Sequence, residues 1–247
     1  MLCYNKHMKI FYYNGKIGQS VKIDDEQFGH ITRVLRMQIG DKFLLFNGDG
    51  NFYECQISAI SKRDLIANVL DCQKSKNQLK NQITVFQGIV KKPDNQSLII
   101  QKLCELGVQN LVFFESEYTN TKLDGSPKSR FEKIVIESCK QCKRANLLRV
   151  SNQPNFKNML EQLKTFDLVI FAYENSKTGD LSDFLNKCSG KKIALVVGSE
   201  GGFSQSEVEL LQNANAKTVS LGKTILRAET ACIALASATL CLLGEWQ

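Results

Sequence analysis

The chain is expected to fold in two parts, a small β-rich segment followed by a larger α/β domain. Three observations carry that expectation. The first third holds short apolar runs separated by Asn-Gly turn signals. From Ile83 onward, continuous apolar runs alternate with segments of helical periodicity. Between the two lies a polar stretch nearly free of apolar anchors. With 247 residues, 43% hydrophobic and 23% charged, the composition is that of a globular protein able to bury a sizeable core.

In the first part, residues 9–13, 42–46, 52–57 and 64–70 read as strands. Asn14 with Gly15, and the run Asn47-Gly48-Asp49-Gly50, supply turns between them. Strands at this spacing suggest a small barrel. One helix is inserted over residues 25–37, with Phe28, Ile31, Val34 and Leu35 on one face and His30, Arg33 and Arg36 elsewhere on its surface. Residues 1–73 are therefore read as the barrel domain, 74–82 as a linker and 83–247 as the α/β domain.

In the second part, residues 83–86, 111–114, 168–172, 193–197 and 218–221 read as strands of a parallel sheet covered on both faces. Helices are expected over 96–106, stopped by Gly107, and over 204–213, opened by the capping box Ser204-x-x-Glu207. A further helix runs through Cys139, with Phe131, Ile134, Val135, Ser138, Cys139 and Cys142 on one face, and the last spans 229–243.

The net charge is +7, with 12 basic and 8 acidic residues in 1–80 and 20 and 17 in 81–247. Such an excess suits a polyanionic partner or a lysine-rich surface that aids solubility. Nine cysteines follow no framework spacing, and the lone pair Cys139 and Cys142 has no second pair to complete a zinc site. Reduced cysteines, no metal and a cytoplasmic location are expected. Residues 1–18 show no apolar leader, and residues 230–243 are too short and too rich in Ala, Ser and Thr to cross a membrane.

Two glycine loops stand out. Gly198-Ser199-Glu200-Gly201-Gly202-Phe203-Ser204 follows one apolar strand, and the run from Ser220 to Thr230 leads from another strand into the last helix. Both lie at strand C-terminal ends, where α/β domains bind ligands. Neither is a phosphate loop or a dinucleotide fingerprint. On spacing alone they are either structural turns or a main-chain grip on one cofactor.

Residues 193–243 resemble the C-terminal signature of the SPOUT-class methyltransferases, in particular the 16S ribosomal RNA (uracil-N3) methyltransferase family of RsmE type. That family shows G-P-E-G-G-[FL]-[ST] and then L-G-x-x-[IV]-L-R-x-E-T-A, similar here to Gly198–Ser204 and to Leu221-Gly222-Lys223-Thr224-Ile225-Leu226-Arg227-Ala228-Glu229-Thr230-Ala231. The run from His30 to Met37 with Gly40 and Asp41, the run from Ile100 to Val108, and the run from Glu137 to Arg144 resemble further family elements, so the likeness covers nearly the whole chain in order. One departure is Ser199, which stands where the family has proline.

The resemblance implies a SPOUT-type α/β domain with a C-terminal trefoil knot behind a PUA-like barrel. It implies S-adenosylmethionine as cofactor, 16S rRNA or the small subunit as substrate, and a homodimer. Cofactor contacts implied are Tyr173, Glu174, Gly198, Ser199, Glu200, Gly201, Gly202, Leu221, Gly222, Ile225, Leu226, Arg227 and Thr230. A solvated strand end is the alternative for Tyr173 and Glu174. Arg227 is the first catalytic candidate, a structural salt bridge to Glu200 or Glu229 being its rival; Glu200 and Glu229 are weaker candidates for the base. Arg33, Arg36, Lys91 and Lys92 are candidates for RNA phosphates, against simple solvated charge. Two other readings stand beside this one: a SPOUT enzyme acting on another base or a ribose, and a non-catalytic RNA-binding assembly factor.

Overall fold

The computed structural model describes residues 8–76, 78–119, 127–153, 155–174, 179–186 and 188–246. The leader reading of residues 1–18 falls in part on residues 1–7, outside the described residues. Contacts divide the chain into two units, Met1–Asn77 with Cys139–Leu147, and Gln78–Ser138 with Leu148–Gln247.

In the first unit, β1 (Ile10–Tyr12), β2 (Ser20–Ile23), β3 (Lys42–Phe46), β4 (Asn51–Ile60) and β5 (Leu65–Lys74) form one sheet in the order β1-β3-β4-β5-β2. The expected barrel is thus an open, mixed half-barrel, with β1 parallel to β3 and the other pairs antiparallel. Register shifts at Glu54/Cys55 and Ile57/Ala59 add the local twist that curls it. Inward residues such as Phe11, Val21, Phe43, Leu45, Ile57 and Leu65 build its core.

The helix expected over 25–37 is a correction. It is a short helix, α1 (Asp25–Gly29), that passes into a π-helical turn, His30–Val34. The Thr32 hydroxyl donates to Phe28 O at 2.8 Å, competing for the carbonyl an α-helical Thr32 N–H would use. The Leu35 N–H then reaches back five residues to His30 O. β-branched Ile31, Thr32 and Val34 weaken the α-helical alternative. Arg36, at φ 54°, ends the turn in the left-handed region.

The second unit opens with β6 (Gln82–Gly88), α2 (Pro93–Glu105), β7 (Asn110–Phe114), α3 (Pro127–Cys142) and β8 (Arg149–Gln153). It continues with α4 (Phe156–Leu163), β9 (Leu168–Ala172), α5 (Leu181–Leu185), β10 (Lys192–Val197), α6 (Gln205–Asn213), β11 (Lys217–Val219) and α7 (Ala228–Leu242). The strands form one sheet in the order β11-β9-β10-β6-β7-β8, every pair parallel. Residues 193–197 and 111–114 are buried without alternation, because helices cover both faces. β2, β8, α4 and α5 were not anticipated from the sequence.

The strand starts are tied together at one end of this sheet. Beyond α7, the Glu245 carboxylate accepts the backbone N–H groups of Lys80 and Asn81, each at 2.9 Å, and the Asn81 side-chain amide at 2.8 Å. Asn81 Oδ1 in turn accepts the Lys191 N–H at 3.0 Å. The strand C-terminal ends are left open for a site, and the chain order reverses between β10 and β6, where parallel sheets form a binding crevice.

Candidate cofactor pocket

A cavity of about 840 Å³ lies at these C-terminal ends. Both glycine loops line it, together with Ala172 at the end of β9, Tyr173 and Glu174 after it, and Lys91 and Lys92 after β6. Of the expected cofactor residues, all but Thr230 are in the wall; Thr230 is exposed on α7 outside it. Arg33 and Arg36 belong to the first unit, both exposed.

The first loop is held from several sides. Gly202, at φ 69°, donates its N–H to Ser199 O at 3.0 Å and closes a tight turn. Gly198 packs so closely on Gly202 that an added Cβ would lie 3.1 Å from Gly202 Cα. Below it, a Cβ on Gly88 would collide with Ser199 N and come within 2.7 Å of the Gly198 carbonyl carbon. Gln87, fully buried, donates from Nε2 to Gly198 O at 2.8 Å and to Gly88 O at 3.0 Å. At the far end, Ser204 and Glu207 form the expected capping box of α6.

Glu200 is engaged: its Oε1 accepts the Lys91 backbone N–H at 2.8 Å, tying the loop after β6 to the glycine loop. Ser199 is 6% exposed, and its hydroxyl has no hydrogen-bond partner among the described residues. A hydroxyl that departs from the family proline therefore sits buried and unsatisfied.

The second loop is held far less. No backbone N–H from Ser220 to Leu226 donates to a main-chain acceptor among the described residues; the Ser220 hydroxyl donates to Gly222 O at 3.2 Å. Gly222 has φ 124°, which favours glycine, and Ile225 is 88% exposed. The loop ends at Arg227, the N-cap of α7, with φ −65° and ψ 153°. Arg227 is exposed and makes no ion pair with Glu200 or Glu229, so the salt-bridge alternative is not what the structure shows. Glu229, the second residue of α7, lines the cavity, is 8% exposed and has no hydrogen-bond partner among the described residues.

Next to it on α7, Cys232 is buried, and burial pushes its thiol up to about 12, which keeps it neutral and unreactive. Sequence reasoning missed Ile89, Asn95 and Tyr118, which also line the wall. Ile89 directly follows β6, and Asn95 and Tyr118 lie in the segments after β6 and β7; position beyond an apolar strand was the only signal for them. Among the described residues no cluster of His, Cys, Asp and Glu could hold a metal, and no helix is long and apolar enough to cross a membrane.

A parallel α/β sheet with a main-chain-lined cavity at its switch point is the pattern of a domain that binds a small-molecule cofactor. Residues 77–240 match the model of the RNA methyltransferase domain, and residues 23–70 that of the RNA methyltransferase PUA domain. The chain is 32% identical over 218 residues to ribosomal RNA small subunit methyltransferase E of Bacillus subtilis, covering 85% of each chain. The crystal structure of a probable rRNA-methyltransferase from Porphyromonas gingivalis superposes with a TM-score of 0.87 at 29% identity, over 97% of this chain and 100% of that one. A ribosomal RNA small subunit methyltransferase E from Neisseria gonorrhoeae, bound to S-adenosyl methionine, superposes at 0.83 and 27% identity, over 96% and 98%. The chain belongs to the RNA methyltransferase family, and within it to the ribosomal RNA small subunit methyltransferase E group.

Proposed function

We propose that the chain transfers the methyl group of S-adenosylmethionine to N3 of a uridine in 16S ribosomal RNA. The observation that carries this reading is the joining of both signature loops in one cavity. The residues present fit the cofactor. A volume of about 840 Å³ falls within the range of small-molecule sites, roughly 300–1,000 Å³. The glycine contacts at Gly88, Gly198 and Gly202 leave main chain, not side chains, as the wall. When bound, S-adenosylmethionine supplies an electrophilic methyl group.

Main-chain groups of Gly198, Ser199, Gly201, Gly202, Leu221, Gly222 and Leu226, with the exposed Ile225 side chain, hold the cofactor, and Tyr173 and Glu174 close the β9 side. The N3 proton must leave, and the negative charge that develops spreads onto the flanking carbonyl oxygens of the base. The Arg227 guanidinium, which makes no ion pair among the described residues, stabilises that charge. Glu229, at 8% exposure and with no hydrogen-bond partner among the described residues, is the better placed of the two carboxylates to take the proton, since Glu200 is committed to Lys91.

In this reading residues 1–73 and 83–247 are the RNA-binding and catalytic domains joined by 74–82. Arg33, Arg36, Lys91 and Lys92 contact RNA phosphates. The trefoil knot belongs to it too. It is supported by the path of the last segment: β11 is the sheet edge, yet α7 returns to pack on β10, β6 and α2. A homodimer is supported by exposed Leu242 at the end of the last helix and exposed Trp246 beyond it, and a cytoplasmic setting by Cys55, Cys72, Cys188, Cys232 and Cys241, which form no disulfide.

Mass mapping of nucleosides in small-subunit rRNA, with and without the protein, tests the function. Loss of one N3-methyluridine without it is the expected result. Loss of a different modification would move the target to another base or ribose, and no change would leave an RNA-binding factor.

A further inference from the structure

We propose that Tyr118 is the platform on which the target base stacks after leaving its RNA helix; the inference rests on the methyltransferase reading and adds a residue to it. N3 lies on the pairing edge of uracil, so the base must be unstacked before it is methylated. Proteins hold unstacked bases against aromatic rings.

Three aromatic side chains line the cavity, and two are already committed. Phe203 is 9% exposed and part of the core, and the half-buried Tyr173 packs its ring 6.4 Å from that of Phe171. Tyr118 is 48% exposed, with no ring contact and no hydrogen bond among the described residues.

Its backbone, by contrast, is fixed. Thr119 N–H donates to Ser116 O at 2.9 Å, and Ser116 N–H donates to Thr119 Oγ1 at 3.0 Å, so Tyr118 sits inside a closed turn. The neighbouring Glu117 N–H donates to Glu207 Oε1 at 2.9 Å, which anchors the turn to the cap of α6. Tyr118 Cβ lies against Gly201, where an added methyl would come within 2.7 Å of it. A free ring on a fixed backbone binds a partner with little ordering cost.

The position is the rim and not the floor. Val197, Gly198 and Ser199 at the floor are buried, whereas Tyr118, Glu200, Gly201, Lys91 and Lys92 are exposed. A cofactor that buries most of its surface fills the floor. The substrate base arrives from solvent across the rim, where the two lysines suit its phosphates.

The test compares wild type, Tyr118→Ala and Tyr118→Phe in methyl transfer to the small ribosomal subunit, with S-adenosylmethionine affinity measured by calorimetry. Alanine keeps the Cβ that packs on Gly201. It is expected to raise KM for the RNA roughly 5- to 100-fold, the range of one base–aromatic stack, with cofactor affinity unchanged and phenylalanine close to wild type. An unchanged KM in the alanine variant overturns the proposal. So does a parallel loss of S-adenosylmethionine affinity, which makes Tyr118 a cofactor wall. Absence of transfer by wild type overturns the methyltransferase reading itself, so the two failures are distinguishable.

Discussion

The two glycine loops face one cavity but are built differently. The loop after β10 is buried at Gly198 and Ser199, closed by its own turn, gripped by Gln87 from below and tied to Lys91 through Glu200. The loop before α7 is exposed from Gly222 to Ile225 and leaves its amides without main-chain acceptors among the described residues. A closed wall has its shape before the ligand arrives. An open wall keeps water-exposed donors and apolar surface available to a ligand: an exposed Ile side chain such as Ile225 forgoes about 1.5–3 kcal/mol of burial. The difference assigns shape to the first loop and ligand-dependent affinity and chemistry to the second.

The largest expected effect lies on the open wall. Arg227→Ala should lower kcat by about 10²–10³-fold with S-adenosylmethionine affinity held within a few-fold, since its charge acts on the transition state. Steady-state transfer assays beside calorimetry separate the two; unchanged kcat would remove Arg227 from the chemistry. On the closed wall, Gly88→Ala should destabilise the fold by about 1–3 kcal/mol and weaken cofactor binding, because the new methyl meets main chain that cannot yield. Thermal melting and titration with the cofactor check it, and a variant that melts and binds like wild type would show that this wall is not rigid.

These two sites also show what was legible in advance. The strand cores, 193–197 above all, announced themselves by unbroken apolar runs, and both loops by glycines after strands. The roles of their neighbours were not legible. Gln87 and Gly88 lie just past the strand read over 83–86, and their importance comes from β6 running on beside β10, a pairing set by topology and not by local pattern. Tyr118 likewise reaches the site only through the turn after β7. β8 escaped notice because an edge strand needs no apolar alternation, whereas α4 carried its signal in Phe156, Met159, Leu160 and Leu163. The π-helical turn after α1 goes with a bond from the Thr32 hydroxyl to Phe28 O, a contact no periodicity reports.

Smaller effects sharpen the contrast. Glu200→Gln keeps an oxygen for the Lys91 N–H but removes the charge. It should change kcat by less than about threefold, whereas a general base would lose about 10²–10⁴-fold. A pH–rate profile on the variant distinguishes the roles. Ser199→Ala removes a buried hydroxyl with no partner among the described residues and should stabilise the fold by up to about 1 kcal/mol, seen as a rise in Tm at unaltered cofactor affinity. A fall in Tm would mean that the hydroxyl has a partner in solution.

Amide hydrogen exchange with and without S-adenosylmethionine tests the central claim most directly. The amides of residues 221–226 should exchange fast in the free protein and gain strong protection when the cofactor binds, while that of Gly202 is slow in both states. Equal protection gained by both loops would contradict a preformed first wall, and no protection at either would contradict the site.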